Sequence, residues 1–169
     1  INGFGRIGRL VYRLMKEDDF FDVVAINDLS SSEELAYLLR YDTNHRTYDK
    51  DITFDEEGII VDGKKTRVYS EMDPSNLPWG ELGIDLVFEC TGKFTKKEDA
   101  NKHILAGAKK VLISAPGKGD MKTVVYNVND DILTSDDVIV SAASCTTNCL
   151  APIVKVLDDN FGIERGFMT

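Results

Sequence analysis

Cysteine, histidine and net positive charge are all scarce in this chain, and each scarcity closes off a class of function. Three cysteines in 169 residues are an odd and sparse set, too few for a disulfide framework. With only two histidines, and none clustered beside the cysteines, a zinc site is argued against as well. A reducing, cytoplasmic setting is the expectation. Lysine and arginine number 20 against 29 acidic residues, a net charge of −9. That balance excludes nucleic acid and anionic membrane as principal partners. It does not exclude an anionic ligand, because backbone amides bind phosphate locally. No apolar run approaches the ~20 residues that span a bilayer, no signal-peptide pattern is present, and there is no repeat or low-complexity tract.

What remains is an ordinary globular composition, 43% hydrophobic and 29% charged, long enough to bury a core. Gly3-Phe-Gly5-Arg-Ile-Gly8 opens a helical pattern with Ile7, Leu10, Val11 and Leu14 on one face. Val23–Asn27 reads as a strand with Asp28 at its carboxyl end. Ser31 and Glu34 have capping-box spacing before a second helix that runs to about Tyr41. Short strands follow at Ile52–Phe54, Ile59–Val61 and Thr66–Tyr69, separated by Asp55–Gly58 and by Asp62-Gly63, a strong hairpin signal. This is an antiparallel excursion hung on a main sheet, with Pro74 and Pro78 punctuating the return. The α/β rhythm resumes with a strand at Asp85–Cys90, a helix from Lys97 to Ala106 closed by Gly107, and strands at Val111–Ser114, Val124–Tyr126 and Val138–Ser141. A last helix carries Pro152; either it starts near Asn148, or Pro152 kinks it. Apolar strands alternating with helices predict a doubly wound α/β (Rossmann) fold, mostly parallel. Ligands in such folds bind at the carboxyl ends of the strands. Asn27-Asp28, Thr91-Gly92, Ser114 and Ser144-Cys145 all fall at such ends.

A lone GxGxxG is weak, since three glycines can simply make a turn. Here a helix and a strand follow, and Asp28 stands 20 residues after Gly8, the spacing at which a carboxylate accepts hydrogen bonds from an adenosine ribose. The blander reading makes Asp28 a solvated turn residue or a cap. A carboxylate at this point repels a 2′-phosphate, which favours NAD over NADP.

Cys145 follows a β-branched strand and a small, hydroxyl-rich turn, and it opens a helix. The positive end of the helix dipole favours a thiolate there, so Cys145 is the candidate nucleophile. The alternative is a buried structural thiol, but Ser144, Thr146, Thr147 and Asn148 are poor core companions. Cys149, four residues along an apolar helix, and Cys90, inside a strand, read as core.

With these residues in view, the chain resembles the amino-terminal half of the phosphorylating glyceraldehyde-3-phosphate dehydrogenases. The resemblance rests on Asn2–Arg9, Asn27-Asp28, Asp73-Pro74, Glu89-Cys-Thr-Gly92, Ile113-Ser-Ala-Pro116 and Ser144-Cys-Thr-Thr-Asn-Cys-Leu-Ala-Pro152, in the family's order and spacing. It implies that Gly5, Arg6 and Ile7 border the NAD pyrophosphate and that Asp28 holds the ribose. Met72 would face the adenine, Thr91, Gly92 and Phe94 would lie along the cofactor, and Ser114 near its nicotinamide end. It further implies Cys145 as the nucleophile, with Ser144 and Thr146 helping to bind glyceraldehyde 3-phosphate or inorganic phosphate. The product would be 1,3-bisphosphoglycerate, made by a glycolytic homotetramer in the cytoplasm.

Three departures stand out. The family's general base is a histidine on the strand that begins at Phe167-Met168-Thr169, beyond this sequence, and neither His45 nor His103 replaces it by motif. Met72 stands where the family usually has arginine, and Ala142 where it often has asparagine. Almost no strand precedes the glycines at Ile1-Asn2-Gly3, and Gly166–Thr169 reads as a strand just starting, so both ends read as truncations: residues 1–148 as an NAD-binding Rossmann domain, and 149–169 as the catalytic-cysteine helix and the start of a substrate domain. The expectation is a fragment that binds NAD weakly or not measurably and does not turn over. Erythrose-4-phosphate dehydrogenase and a non-catalytic nucleotide-binding module are the alternatives.

Overall fold

Tight turns and capped helices set the local structure. The computed structural model describes all residues, 1–169. Helix α1 spans Arg6–Lys16, strand β1 Ala25–Asn27 and helix α2 Ser32–Arg40. Strands β2 (Ile52–Asp55), β3 (Gly58–Val61) and β4 (Lys64–Tyr69) form the excursion. After a 3-10 turn at Pro74–Asn76 come β5 (Leu86–Glu89), α3 (Lys97–Leu105), β6 (Lys110–Ile113), β7 (Ile139–Ser141) and α4 (Cys145–Phe161). The α2 capping box closes as its spacing predicts: Glu34 N–H donates to the Ser31 hydroxyl and Ser31 N–H to the Glu34 carboxylate, both at 3.2 Å. Asp62 and Gly63 both adopt positive φ, 49° and 77°, as a two-residue turn joining β3 to β4 requires.

The segment Ile1–Gly3 makes the sheet continuous. Strands order β1-β4-β3-β2 in one part and β5-β6-β7 in the other, and Asn2 bridges them in parallel, to Asn27 on one side and Glu89 on the other. Asn2 N–H donates to the Phe88 carbonyl (2.8 Å), and Cys90 N–H to the Asn2 carbonyl (2.7 Å). Gly3 N–H donates to the Asn27 carbonyl at 2.8 Å. All ladders are parallel except those of the β2–β3–β4 meander. The predicted doubly wound α/β architecture, with its antiparallel part, is thus the one observed. One core lies under α1 and α2 around Phe4, Tyr12, Ile26, Leu35 and Ile59; a second surrounds Trp79, Val87, Val111 and Ile113. No helix is long and apolar enough to cross a membrane.

Four local expectations change. On α1 the buried residues are Gly8, Tyr12, Arg13 and Met15, while Ile7 and Leu14 are 50% and 68% exposed. Tyr12 buries because its hydroxyl meets Thr66 Oγ1 at 3.1 Å. Arg13 buries because its guanidinium donates to the Leu39, Arg40, His45 and Arg46 carbonyls, capping the end of α2. Apolar periodicity counts both as surface residues; their partners make burial affordable in free energy. Val124–Tyr126 forms no strand beyond a single bridge from Thr123 to Ser141. There the Asn129 side chain accepts from Val125 N–H (2.8 Å) and Asn127 turns left-handed (φ 59°), so a local turn outcompetes the ladder. Helix α4 starts at Cys145, which leaves Pro152 well inside it. Finally, Cys149 is exposed rather than core, because no residue of α4 is buried.

Candidate active site

Because β4, β1, Asn2, β5, β6 and β7 all run parallel, their carboxyl ends share one edge of the sheet. The order of those ends sets the order of the predicted site residues: Met72 beyond β4, Asp28 after β1, Gly3 and Gly5 after Asn2, Thr91, Gly92 and Phe94 after β5, Ser114 after β6, Cys145 after β7. The Asn2 bridge lies where the strand order reverses, the place at which doubly wound sheets open a ligand crevice.

The glycine turn is built for close approach. Gly3 has φ 86°, and a Cβ there would lie 2.8 Å from Thr91. A Cβ on Gly8 would meet the Gly3 carbonyl oxygen at 2.1 Å, whereas one on Gly5 meets nothing within 4 Å. Gly5 caps α1 without a side-chain hydrogen bond, and no acidic residue lies in the first turn. The first amides of α1, flanked by exposed Arg6 and Ile7, are therefore free to meet an anion. Asp28 is held against this turn: its Oδ2 accepts from Phe4 N–H at 2.7 Å and its Oδ1 from Ser30 N–H at 3.0 Å. Each oxygen keeps a further acceptor position, and the residue is half-buried. An open glycine, uncapped helix amides and an anchored carboxylate fit a dinucleotide's pyrophosphate and ribose.

At the other wall, Thr91 N–H and hydroxyl both donate to the Glu89 carboxylate. Ser114 Oγ donates to the Glu89 carbonyl at 3.1 Å, so the β5 and β6 ends are tied together. Phe94 meets the His103 ring edge-on, 6.4 Å between centroids. Met72 is 79% exposed.

The Cys145 turn is bound to the loop after β6 through Ser141, whose hydroxyl donates to the Ala115 carbonyl (2.7 Å) and accepts from Gly117 N–H (3.0 Å) and Ala143 N–H (3.1 Å). Ala143 takes a left-handed backbone, φ 62°, a conformation that strains a residue with a Cβ. The Asn148 amide spans the bend, donating to the Ala142 carbonyl at 2.7 Å and the Ser144 carbonyl at 2.9 Å. An amide thus serves the turn even with alanine at 142. Ser144 is the N-cap of α4, its hydroxyl accepting from Thr147 N–H at 2.9 Å. Cys145 occupies the first helical position and is exposed, as is Thr146. Cys90 is half-buried, and burial pushes its thiol above the ordinary value.

The histidines are placed as structural residues. His45 sits in a loop, its ring nitrogen 3.1 Å from Asp42. His103 is wholly buried, with Nδ1 bonded to Trp79 and Nε2 to Glu89. Motif reading had no means of finding Asn148 as a clamp, or the buried cluster of Asn2, Asn27, Glu89 and His103. Those contacts join residues up to 101 positions apart.

Comparison with known proteins places the chain in a family. The family described as glyceraldehyde 3-phosphate dehydrogenase, NAD binding domain, matches residues 1–97, and the C-terminal domain of the same family matches residues 144–169. A glyceraldehyde-3-phosphate dehydrogenase of Clostridium pasteurianum is 56% identical over 169 residues, covering 100% of this chain and 51% of the relative. Glyceraldehyde-3-phosphate dehydrogenase 2 of Bacillus subtilis is 55% identical, covering 100% of this chain and 50% of its own length. The Mycoplasma pneumoniae enzyme is 53% identical, with 99% and 50% covered. The chain thus spans about half the length of the curated relatives it matches. This chain belongs to the glyceraldehyde 3-phosphate dehydrogenase family, with the family's NAD-binding domain in its first 97 residues.

Proposed function

We propose that this chain is the cofactor-binding half of an enzyme that oxidises and phosphorylates glyceraldehyde 3-phosphate to 1,3-bisphosphoglycerate with NAD. The observation that carries the reading is the exposed Cys145 at the first position of α4, on the same sheet edge as the open Gly5 turn and the anchored Asp28. Asp28 would hold the adenosine ribose, and the α1 amides at Gly5, Arg6 and Ile7 the pyrophosphate. Thr91, Gly92, Phe94 and Ser114 would line the rest of the cofactor, and Met72 would face the adenine. NAD, when bound, supplies the acceptor for the hydride that leaves the substrate carbon.

The Cys145 thiolate attacks the aldehyde carbon, and the carbonyl oxygen takes up the electron pair as the alkoxide of a thiohemiacetal. Cys145 lies at the positive end of the α4 dipole. Loss of hydride from that carbon leaves a thioester on Cys145. An oxygen of inorganic phosphate then attacks the acyl carbon, the carbon–sulfur bond breaks, and Cys145 is restored as thiolate. Thr146 and the Ser144 backbone would meet substrate or phosphate, since the Ser144 hydroxyl is engaged as the helix cap. His103 is buried between Trp79 and Glu89 and His45 is held by Asp42 in the loop after α2, so no histidine is bonded to the Cys145 turn, and residues 1–169 alone are expected to bind NAD weakly and to lack turnover. The longer protein would work in the cytoplasm as a homotetramer, with residues 149–169 belonging to its substrate domain; the family match over 144–169 and the unburied α4 support that division.

Alkylation kinetics test the reading. Iodoacetamide at neutral pH is expected to modify Cys145 about tenfold faster than Cys149 and to spare Cys90. Amide resonances of Gly5, Asp28 and Thr91 are expected to shift with millimolar NAD and to shift less with NADP. Equal alkylation rates at Cys145 and Cys149, or NADH production by the isolated chain given aldehyde and phosphate, would overturn it.

A further inference from the structure

The hydrogen bonds buried at the switch point are not used by the chemistry above, and they have a direction. Asn2, Asn27, Glu89 and His103 are each no more than 5% exposed. At one end, Asn27 Nδ2 donates to the Glu71 carbonyl (2.9 Å) while its Oδ1 accepts from Glu71 N–H (2.8 Å). An amide read by both groups of one backbone residue has a single orientation. Asn27 Nδ2 also donates to Asn2 Oδ1 at 2.7 Å. Asn2 is thereby oriented in turn, and its Nδ2 donates to Glu89 Oε2 at 2.5 Å. At the other end, the Trp79 indole N–H, a donor only, donates to His103 Nδ1 at 3.0 Å. The imidazole proton therefore sits on Nε2, which lies 3.0 Å from the same Glu89 oxygen. Glu89 Oε1 accepts from Thr91 N–H (2.8 Å) and from the Thr91 hydroxyl. That hydroxyl accepts from Lys93 N–H at 3.0 Å, which leaves its proton for Glu89. Four donors converge on two oxygens. The Asn2 and His103 donors cannot be reversed without reversing a chain anchored at the Glu71 backbone or at Trp79, and the Thr91 donors are fixed by the backbone and by Lys93 N–H.

We propose that Glu89 is a positioning residue for the dinucleotide cleft. Its carboxylate is the common acceptor that sets Thr91-Gly92 on one wall and, through Asn2 and Asn27, Glu71-Met72 on the other. The proposal rests on the reading that this cleft takes NAD. A carboxamide cannot substitute, because whichever way a glutamine is turned its NH2 faces two donors. Turning Asn2 to compensate would set its amide against Asn27, whose own orientation is held by Glu71. Asn2 therefore bonds β5 through its backbone, and joins the two loops beside the cleft through its side chain.

Amide hydrogen exchange on the 15N-labelled 169-residue chain, together with NAD titration, tests this. In Glu89→Gln, exchange at both Thr91 and Glu71 is expected to rise about tenfold, the size of losing a satisfied buried acceptor. The β2–β3 hairpin amides should keep their wild-type rates, and half-saturation by NAD should need about tenfold more cofactor. Wild-type exchange at Glu71 would overturn the proposal, as would an equal rise in every core amide. Should Glu89→Gln not fold, Asn27→Ala approaches from the other end: faster exchange at Thr91 supports the coupling, and an unchanged rate refutes it. If the wild-type chain shows no NAD-induced shifts, the cofactor reading fails, while the exchange pair still decides whether Glu89 couples the two walls.

Discussion

Asp137 illustrates how a single side chain in a loop becomes a pH-sensitive part of the fold. Its carboxylate meets Lys122 Nζ at 2.7 Å, and Thr134 N–H and hydroxyl at 2.7 and 3.0 Å. The lysine first, and then the threonine amide, hold its pKa down to about 2 from the ordinary 3.8. A carboxyl depressed in the folded state stabilises it above the unfolded value, and that stabilisation fades as pH falls through the folded value. Urea midpoints of wild type and Asp137→Asn are therefore expected to differ most above pH 4 and to converge as pH falls toward 2. A gap that stays constant over that range would contradict the assignment. Residues that act this way were invisible in the sequence, because Lys122 and Asp137 belong to a loop with no periodic pattern. Cys145 was visible because its neighbours are chemically odd for a core. Cys149 was misjudged because its helix looked apolar, and apolarity alone does not say what covers it.

At the scale of elements, the glycine turn and α1 were half legible. The spacing from Gly3 through Gly8 to Asp28 correctly located a helix start beside a strand end, and the three glycines have separable jobs. Gly8→Ala would drive a Cβ to 2.1 Å from the Gly3 carbonyl, backbone that has nowhere to move, and is expected to cost about 3 kcal/mol in urea unfolding. Gly5→Ala, with open space at its Cβ and φ −69°, is expected to leave stability within about 1 kcal/mol and to weaken NAD binding instead. An equal loss of stability in both variants would mean that Gly5 is structural as well. The face of α1 was misread because Tyr12 and Arg13 find partners 54 and 26 residues away. The capping box of α2 and the Asp62-Gly63 hairpin were read correctly because their chemistry lies within four residues.

At the scale of the molecule, the contrast is between a well-packed sheet and α4. Leu150, Ile153, Val154, Val156, Leu157 and Phe161 are between 39% and 82% exposed, on a helix with no buried residue. A helix with no buried residue is held mainly by its own backbone bonds and its Ser144 cap. Amides of α4 beyond its first turn are expected to exchange within minutes at neutral pH, while Val87, Val111 and Ile113 in the central strands exchange only with global unfolding. Exchange of α4 at core rates would show that its apolar face is covered in solution.

The sequence by itself determined the alternation of strands and helices, the hairpin, the helix caps, and the chemistry at Gly5, Asp28 and Cys145. All of these depend on residues close along the chain. Only the tertiary structure decided that the Ile1–Gly3 segment closes the sheet and that Asn2 and His103, from distant segments, join the two Thr91 donors on Glu89. Hydrogen bonds such as Asn2–Glu89, Asn27–Asn2 and Trp79–His103, between residues 24 to 87 positions apart, leave no spacing to read. They exist because parallel strands bring those segments to a common edge, and because a buried polar group must find its partner wherever the fold supplies one.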